Sequence, residues 1–492
     1  MKGKSLDIIK TFSEDEIKKF DLFLSSPYFN SKKSIVRLFK ELRKFYPDFD
    51  SEDLTEEYLY SKVFKTGKYS YSVMKNQLSV LFQLCESFLL INKLNSSLDS
   101  SDNIISLIDE YQKRDLENLY TNRLEILRRN LSEEKYDFNY YRRKVSEIDF
   151  FLEGEFNKAA FKKTLRDSFF KKSLYELCSI TNSLYRNANS IHFIALENNV
   201  KTDDNYFFIF LNSIDVEKFL RDSAKIKDNE NIIPEIYIRL VKLVLHPDEL
   251  DNFYRVKKII FDSMDKFTNL ERYSLLNILR NYIINNLSLA EIGSDEALSV
   301  NMKMLSSINF KQDKMESVLA VIYNGVFIQL VNSRGLKAAE KFVDEYSKQL
   351  RKEVKNDIIG YCKAVINFEK GKFETSLELL SKIKPPNIVY FVNIKKLYLK
   401  IYYELNYLDE GLSVMDTFRH FLDNDKIINE ERKSLMYKSL KYFNSIYKIK
   451  LNPGKFTGYD AEKLLKDIGK NKLNFELKWM MMKVDDFIKR NK

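Results

Sequence analysis

The 492 residues include only 12 glycines, 7 prolines, 3 cysteines, 3 histidines and a single tryptophan. Each shortage excludes something. So few chain breakers argue against many short strands joined by Gly- and Pro-rich turns. The abundant Leu, Lys, Glu and Ile leave an all-α chain as the consistent reading. Cys85, Cys178 and Cys362 lie far apart among apolar neighbours, so they read as buried free thiols in a reducing compartment. No C-x-x-C or Cys/His cluster offers a zinc site. His192, His246 and His420 are isolated, and no H-E-x-x-H, G-x-G-x-x-G, P-loop or G-x-S-x-G spacing occurs. Carboxylate pairs such as Asp203-Asp204 and Asp485-Asp486 are the expected background of a chain that is 31% charged. The chain is therefore read as non-enzymatic, with no catalytic residue, no metal ligand and no cofactor to name.

Long hydrophobic runs are missing too. The apolar stretch Tyr206 to Leu211 falls far short of the ~20 residues that a bilayer span needs. Met1 to Asp7 turns charged at once, without the apolar core of a signal peptide. A cytoplasmic, soluble protein is expected.

The charge present is uneven. The chain carries 81 basic and 71 acidic residues, a net +10, and Arg432 to Lys492 alone holds 16 basic against 6 acidic, also +10. The remainder is balanced at 65 against 65. A basic end of this kind suits nucleic acid, an acidic protein or an anionic surface, and equally a solvated helix face.

The architecture is most legible from Tyr361 to Phe418. An apolar helical pattern ends at Phe368-Glu369-Lys370-Gly371-Lys372-Phe373, a second helix follows to Ile383, and Pro385-Pro386 stops it. The unit then returns, with Lys396 to Leu405, a turn at Asn406-Tyr407-Leu408, and a helix from Asp409 to about Phe421. Small residues Ala338, Ser376 and Gly411 recur, each followed four residues later by Phe342, Leu380 or Met415. The pattern is similar to tetratricopeptide repeats, whose period is about 34 residues. The fit is partial: the first-helix tryptophan is absent, and Asn406 stands where a turn glycine is expected. Asparagine tolerates the left-handed backbone that such a turn uses. Phe151-Leu152-Glu153-Gly154-Glu155-Phe156 repeats the F-x-x-G-x-F pattern and predicts a further hairpin.

The N-terminal block is the best punctuated. Ser13 and Glu16 form a capping box before a helix to Leu24, and a second helix covers Lys32 to Phe45. Thr55 caps a third, which stops at Gly67, and a fourth runs from about Ser72 to Leu94. Tyr28 and Phe29 are expected to pack between the first two helices, with Asn30 or Ser31 capping the second. Ser26-Pro27-Tyr28-Phe29-Asn30, the run from Leu42 to Phe49 and the Tyr69-to-Leu90 helix together resemble the N-terminal region of a family of uncharacterised bacterial helical proteins. That family has no assigned activity, so the resemblance implies a fold and no function. Asn95 to Asp102 reads as a linker, with one long helix from Asn103 to about Arg129 beyond it. A polar loop is expected at 225–231, and an apolar helix from Leu473 to Lys489, bearing Trp479, is expected to close the array.

The resulting expectation is an all-α chain. Its parts are a four-helix block (1–95), a linker (96–102), an α-solenoid of helical hairpins (103–310), tetratricopeptide-like repeats (311–430) and a basic helical cap (431–492). Its work is to bind a protein or peptide partner in a helical-repeat groove. The alternative is a nucleic-acid-binding or regulatory role. Its candidate contacts are Lys65, Lys68 and Lys75 near the fourth helix, and Lys463, Lys466, Lys470, Lys472 and Lys478 at the basic end.

Overall fold

The computed structural model describes residues 3–64, 68–155, 161–198, 205–223, 225, 232–287, 291–311, 315–426, 428, 430–470 and 476–490. Among them lie twenty-four α-helices and no strand, apart from an isolated parallel bridge between Tyr136 and Phe267. The chain divides into two compact units: residues 1–134 with 143–168, and residues 135–142 with 169–492.

The first unit opens with α1 (Lys4–Ile9), α2 (Glu14–Ser25), α3 (Lys33–Leu42), α4 (Glu56–Val63) and α5 (Tyr71–Ser96). The expected four helices are joined by α1, too short for its period to be read from sequence. Its Leu6 and Ile9 are nevertheless buried, and it packs on α5. At α2 the capping box forms as expected: Ser13 accepts from the Glu16 N–H, and the Glu16 carboxylate accepts from the Ser13 N–H at 2.8 Å. Thr55 caps α4 in the same manner, accepting from Tyr58 N–H at 3.1 Å; Gly67 lies outside the described residues. Phe20 anchors the core, with ring centroids 4.9 Å from Phe39 and 5.0 Å from Phe88.

Two local expectations are corrected here. Tyr28 is 87% exposed and does not enter the helix interface, while Phe29 only stacks on Phe23 at 4.4 Å. Proline 27 turns the chain so that the next residue faces outward. Asn30 bridges the two helices: its amide donates to Leu24 O at 2.8 Å and its side-chain carbonyl accepts from the N–H of Lys32, the N-cap residue of α3, at 2.9 Å, while α3 itself starts without a side-chain cap.

Beyond α5, residues 97–100 form a hydrogen-bonded turn. Ser100 caps α6 (Ser101–Gln112), and the Asn103 amide donates to Ser97 O at 2.7 Å. The helix expected from Asn103 to Arg129 is in fact two, α6 and α7 (Glu117–Glu133), packed on each other. Asp115 makes the break at φ 55°. The two helices bury Ile104, Ile108, Leu124, Leu127 and Leu131 in a cluster of their own. The α8 helix (Tyr140–Glu155) includes Gly154; the hairpin turn expected after it falls on residues 156–160, outside the described residues.

The second unit takes most of α9 (Phe161–Asn198), then α10 (Tyr206–Asn212), α11 (Val216–Ser223), α12 (Ile232–Leu245), α13 (Leu250–Asp262), α14 (Asn269–Tyr282) and α15 (Glu291–Ser307). The loop expected at 225–231 falls outside the described residues except at Lys225. The helices α16 (Glu316–Ser333), α17 (Leu336–Tyr346), α18 (Lys352–Glu369), α19 (Phe373–Ser381), α20 (Ile388–Glu404) and α21 (Leu408–Asn424) pack in succession. In addition, α18 touches both α16 and α20. Then come α22 (Glu430–Leu451), α23 (Gly458–Lys470) and α24 (Glu476–Arg490).

One turn geometry recurs. After α18, Gly371 sits at φ 74°, with Lys372 N–H donating to Asn367 O at 2.9 Å and Gly371 N–H to Phe368 O at 2.9 Å. After α20, Asn406 sits at φ 64°, with Tyr407 N–H donating to Tyr402 O at 2.8 Å and Asn406 N–H to Tyr403 O at 3.3 Å. After α6, Leu116 N–H donates to Tyr111 O at 3.0 Å and Asp115 N–H to Gln112 O at 3.1 Å. All three are Schellman-type helix ends, which absorb the last carbonyls of one helix and turn the chain into the next. Ser376 and Gly411 bring packed helices close. Ser376 is fully buried and donates to Ala364 O at 2.7 Å, while a Cβ at Gly411 would collide with the Tyr447 ring. Ala338 is only half covered; the fully buried small residue of α17 is Ala339.

Candidate functional site

The most concentrated polar cluster on the late helices joins three elements. α20 supplies Lys400, Tyr403 and Glu404, α22 supplies Phe443 and Lys450, and α24 supplies Trp479 and Lys483. The 3.6-residue period puts Asn393, Lys396, Lys400 and Glu404 on one strip of α20. Trp479 is 8% exposed, and its Nε1 donates to Glu404 Oε1 at 2.7 Å; Lys483 Nζ approaches the same oxygen at 2.8 Å. The indole meets Tyr403 edge-on at 5.3 Å and lies 6.0 Å from Phe443. Lys400 Nζ stands over both the Phe368 and Trp479 rings, at 5.8 and 5.9 Å. Lys450 donates to Tyr403 O and sits 4.2 Å over that ring. Burial holds the Lys450 ammonium below its usual range, with Glu404 pulling it up and Lys483 pushing it down. One carboxylate thus holds an indole and a lysine of α24 against α20. Chemically this is a docking contact, an aromatic anchor with a charge-assisted hydrogen bond beside it.

A second polar cluster is enclosed. Glu271 is 4% exposed and accepts from Tyr237 Oη at 2.6 Å and Arg186 Nη2 at 2.7 Å, joining α9, α12 and α14. Burial, then the Glu271 charge, drive the Tyr237 hydroxyl well above its usual range, so it is a fixed donor and not an acid. With Glu271 and Tyr237 buried and Arg186 reaching in from the partly exposed side, the cluster holds helices together. His420 lines a shallow depression with Thr417, Phe421, Asn424 and Asp425. The thiols are shielded: burial pushes Cys85 up to about 12 and Cys362 well above its ordinary value. Among the described residues, no three His, Cys, Asp or Glu side chains gather as a metal-binding group. No helix among them is long and apolar enough to cross a membrane.

The lysines singled out from sequence separate into two groups. Lys68, just before α5, and Lys75, within it, are exposed in the first unit. Lys463 and Lys466 are exposed on α23 and Lys478 on α24, in the second unit. Lys470 is the last residue of α23, and Lys65 and Lys472 lie outside the described residues. Sequence reasoning missed Glu404, which is 75 positions from its indole partner, and the exposed Lys441, Lys448 and Lys455. These three lysines were included in the charge excess beginning at Arg432 but were not singled out. Comparison of the chain with family models, with curated proteins and with solved structures gives no match.

Proposed function

We propose that the chain is a non-enzymatic interaction scaffold. On this reading its helical hairpins form an α-solenoid, tetratricopeptide-like over 311–430, whose first-helix face binds a segment of a partner protein. The recurring turns and the contacts of α18 with both α16 and α20 support the array reading. The observation that carries the binding reading is the seat of α24 on α20. An amphipathic helix already rests there by an aromatic anchor, Trp479, and an ion pair, Lys483–Glu404. Helix-in-groove recognition uses the same elements. A partner helix with an apolar stripe would lie beside the half-buried Asn393 and Lys400 of α20, Lys396 between them being already covered.

Capture of the tagged full-length chain from its own cells provides the test. A defined protein should co-purify at high salt and after nuclease treatment, and should be lost from Lys400→Glu but not from Glu378→Lys on the exposed side of α19. Equal recovery from both variants, or no protein partner at all, would overturn the reading.

A further inference from the structure

Between Arg432 and Leu451, α22 carries six basic side chains and no acidic one. Lys441 and Lys448 are seven residues apart, hence on one face, and both are exposed. On α23, Tyr459, Lys463 and Lys466 follow at i, i+4 and i+7, all exposed, with Tyr459 at 75%. Lys455, between the two helices, is exposed as well. None of Lys441, Lys448, Lys455, Lys463 and Lys466 forms an ion pair among the described residues, whereas Lys433, Lys483 and Lys489 of the same region do. Two of the nearby carboxylates are engaged elsewhere, while Glu462, exposed on α23 four residues before Lys466, sets one negative charge against the row. Asp467 accepts from Tyr442 Oη at 3.1 Å, and Asp460 accepts from Thr457 N–H at 3.0 Å and from its hydroxyl at 2.7 Å. Asp460 also faces Lys463 one turn on, and its carboxyl is held low by the Thr457 bonds first and by Lys463 last. The Tyr442–Asp467 bond ties α22 to α23, and Lys441 and Lys466 each adjoin one of its two partners in sequence.

We infer that this α22–α23 surface binds the phosphate backbone of duplex nucleic acid without reading its sequence. Lys441 and Lys448 stand about 10 Å apart along the helix, some three base-pair rises of ~3.4 Å along a duplex axis. The row is lysine rather than arginine, supplying point charges without the planar fork that reads guanine edges. An anionic membrane would be met by a broad apolar face among the lysines, whereas the exposed apolar side chains here are the separated Leu435, Leu451 and Tyr459. This surface is distinct from the α20–α24 contact of the protein-binding reading, and neither depends on the other.

The test uses the full-length chain and fluorescent 24-base-pair duplexes of arbitrary sequence, one DNA and one RNA, with anisotropy followed from 50 to 200 mM salt. Both duplexes should bind independently of sequence, with log affinity falling against log salt at a slope of about −3 to −5, as four or five phosphate contacts require. If only one binds, A-form or B-form backbone spacing selects the source. Combining Lys441→Gln, Lys448→Gln, Lys463→Gln and Lys466→Gln should weaken binding at least about tenfold at 50 mM salt and flatten the slope. Lys40→Gln with Lys372→Gln, on exposed positions elsewhere, should change neither. All six side chains are exposed, so unchanged helicity and melting are expected and are checked in parallel. The inference is overturned if neither duplex binds at 50 mM salt or if the quadruple variant binds as the parent does. Tighter binding to polyglutamate or to phosphatidylserine vesicles than to either duplex would overturn it equally.

Discussion

Gly371, Asn406 and Gly411 are small or permissive residues at helix ends and crossings, held there for different reasons. Gly371 has open space around its Cα, so a side chain there meets no neighbour; its constraint is the backbone, at φ 74°. Gly371→Ala should therefore cost about 1 kcal/mol, and Gly371→Asn less, since Asn406 already occupies the equivalent turn at φ 64°. At Gly411 the constraint is space. The colliding Tyr447 ring is wholly buried, and its hydroxyl donates to Leu399 O at 2.6 Å, so it cannot swing away without losing that bond. Gly411→Ala should cost about 3 kcal/mol, at the upper end of ordinary overpacking. Urea unfolding of the three variants ranks them. If Gly411→Ala were as mild as Gly371→Ala, the close approach described here would be wrong.

At the scale of the element, α24 is held by partners far from it in sequence. Trp479→Phe keeps the ring against Tyr403 and Phe443 but removes the donor to Glu404, and should lower stability by about 1 kcal/mol. Glu404→Ala should cost more, about 2 kcal/mol, because it strands the partly buried Lys483 ammonium. A Glu404→Ala variant as stable as the parent would contradict the docking role of that carboxylate. This contact also marks where sequence reading stops. Helices with a cap, such as α2 behind Ser13 and Glu16, were legible because the signal is local. So was the turn at Asn406, since few residues accept a left-handed backbone. The break between α6 and α7 was not, because Lys113-Arg114-Asp115-Leu116 contains no glycine or proline, and an aspartate, though it accepts that conformation, sits within helices far more often. The Glu404–Trp479 pair depends on three-dimensional packing, and nothing local announces it.

Across the whole molecule, the helical class was readable from composition, because a chain with few breakers and strong helix formers has little else to become. The autonomy of its parts was less so. The core built by α1 to α5 draws every buried member from residues 6–88 and its partly buried rim from no further than Ile91. A fragment of residues 1–98 should therefore fold alone and melt in one cooperative transition, observable by circular dichroism and calorimetry. A fragment that is helical but melts without cooperativity would show that this core needs the rest of the chain.

The claim on which the functional account turns is that the first-helix face around Lys400 receives a partner protein. A photo-crosslinking amino acid placed at position 400, with position 378 on α19 as the control, tests it in living cells. The account predicts one defined crosslinked protein at position 400, increased in the Trp479→Ala background where α24 is loosened, and none at position 378. The same pattern at both positions, or no crosslink at position 400 in either background, would contradict it.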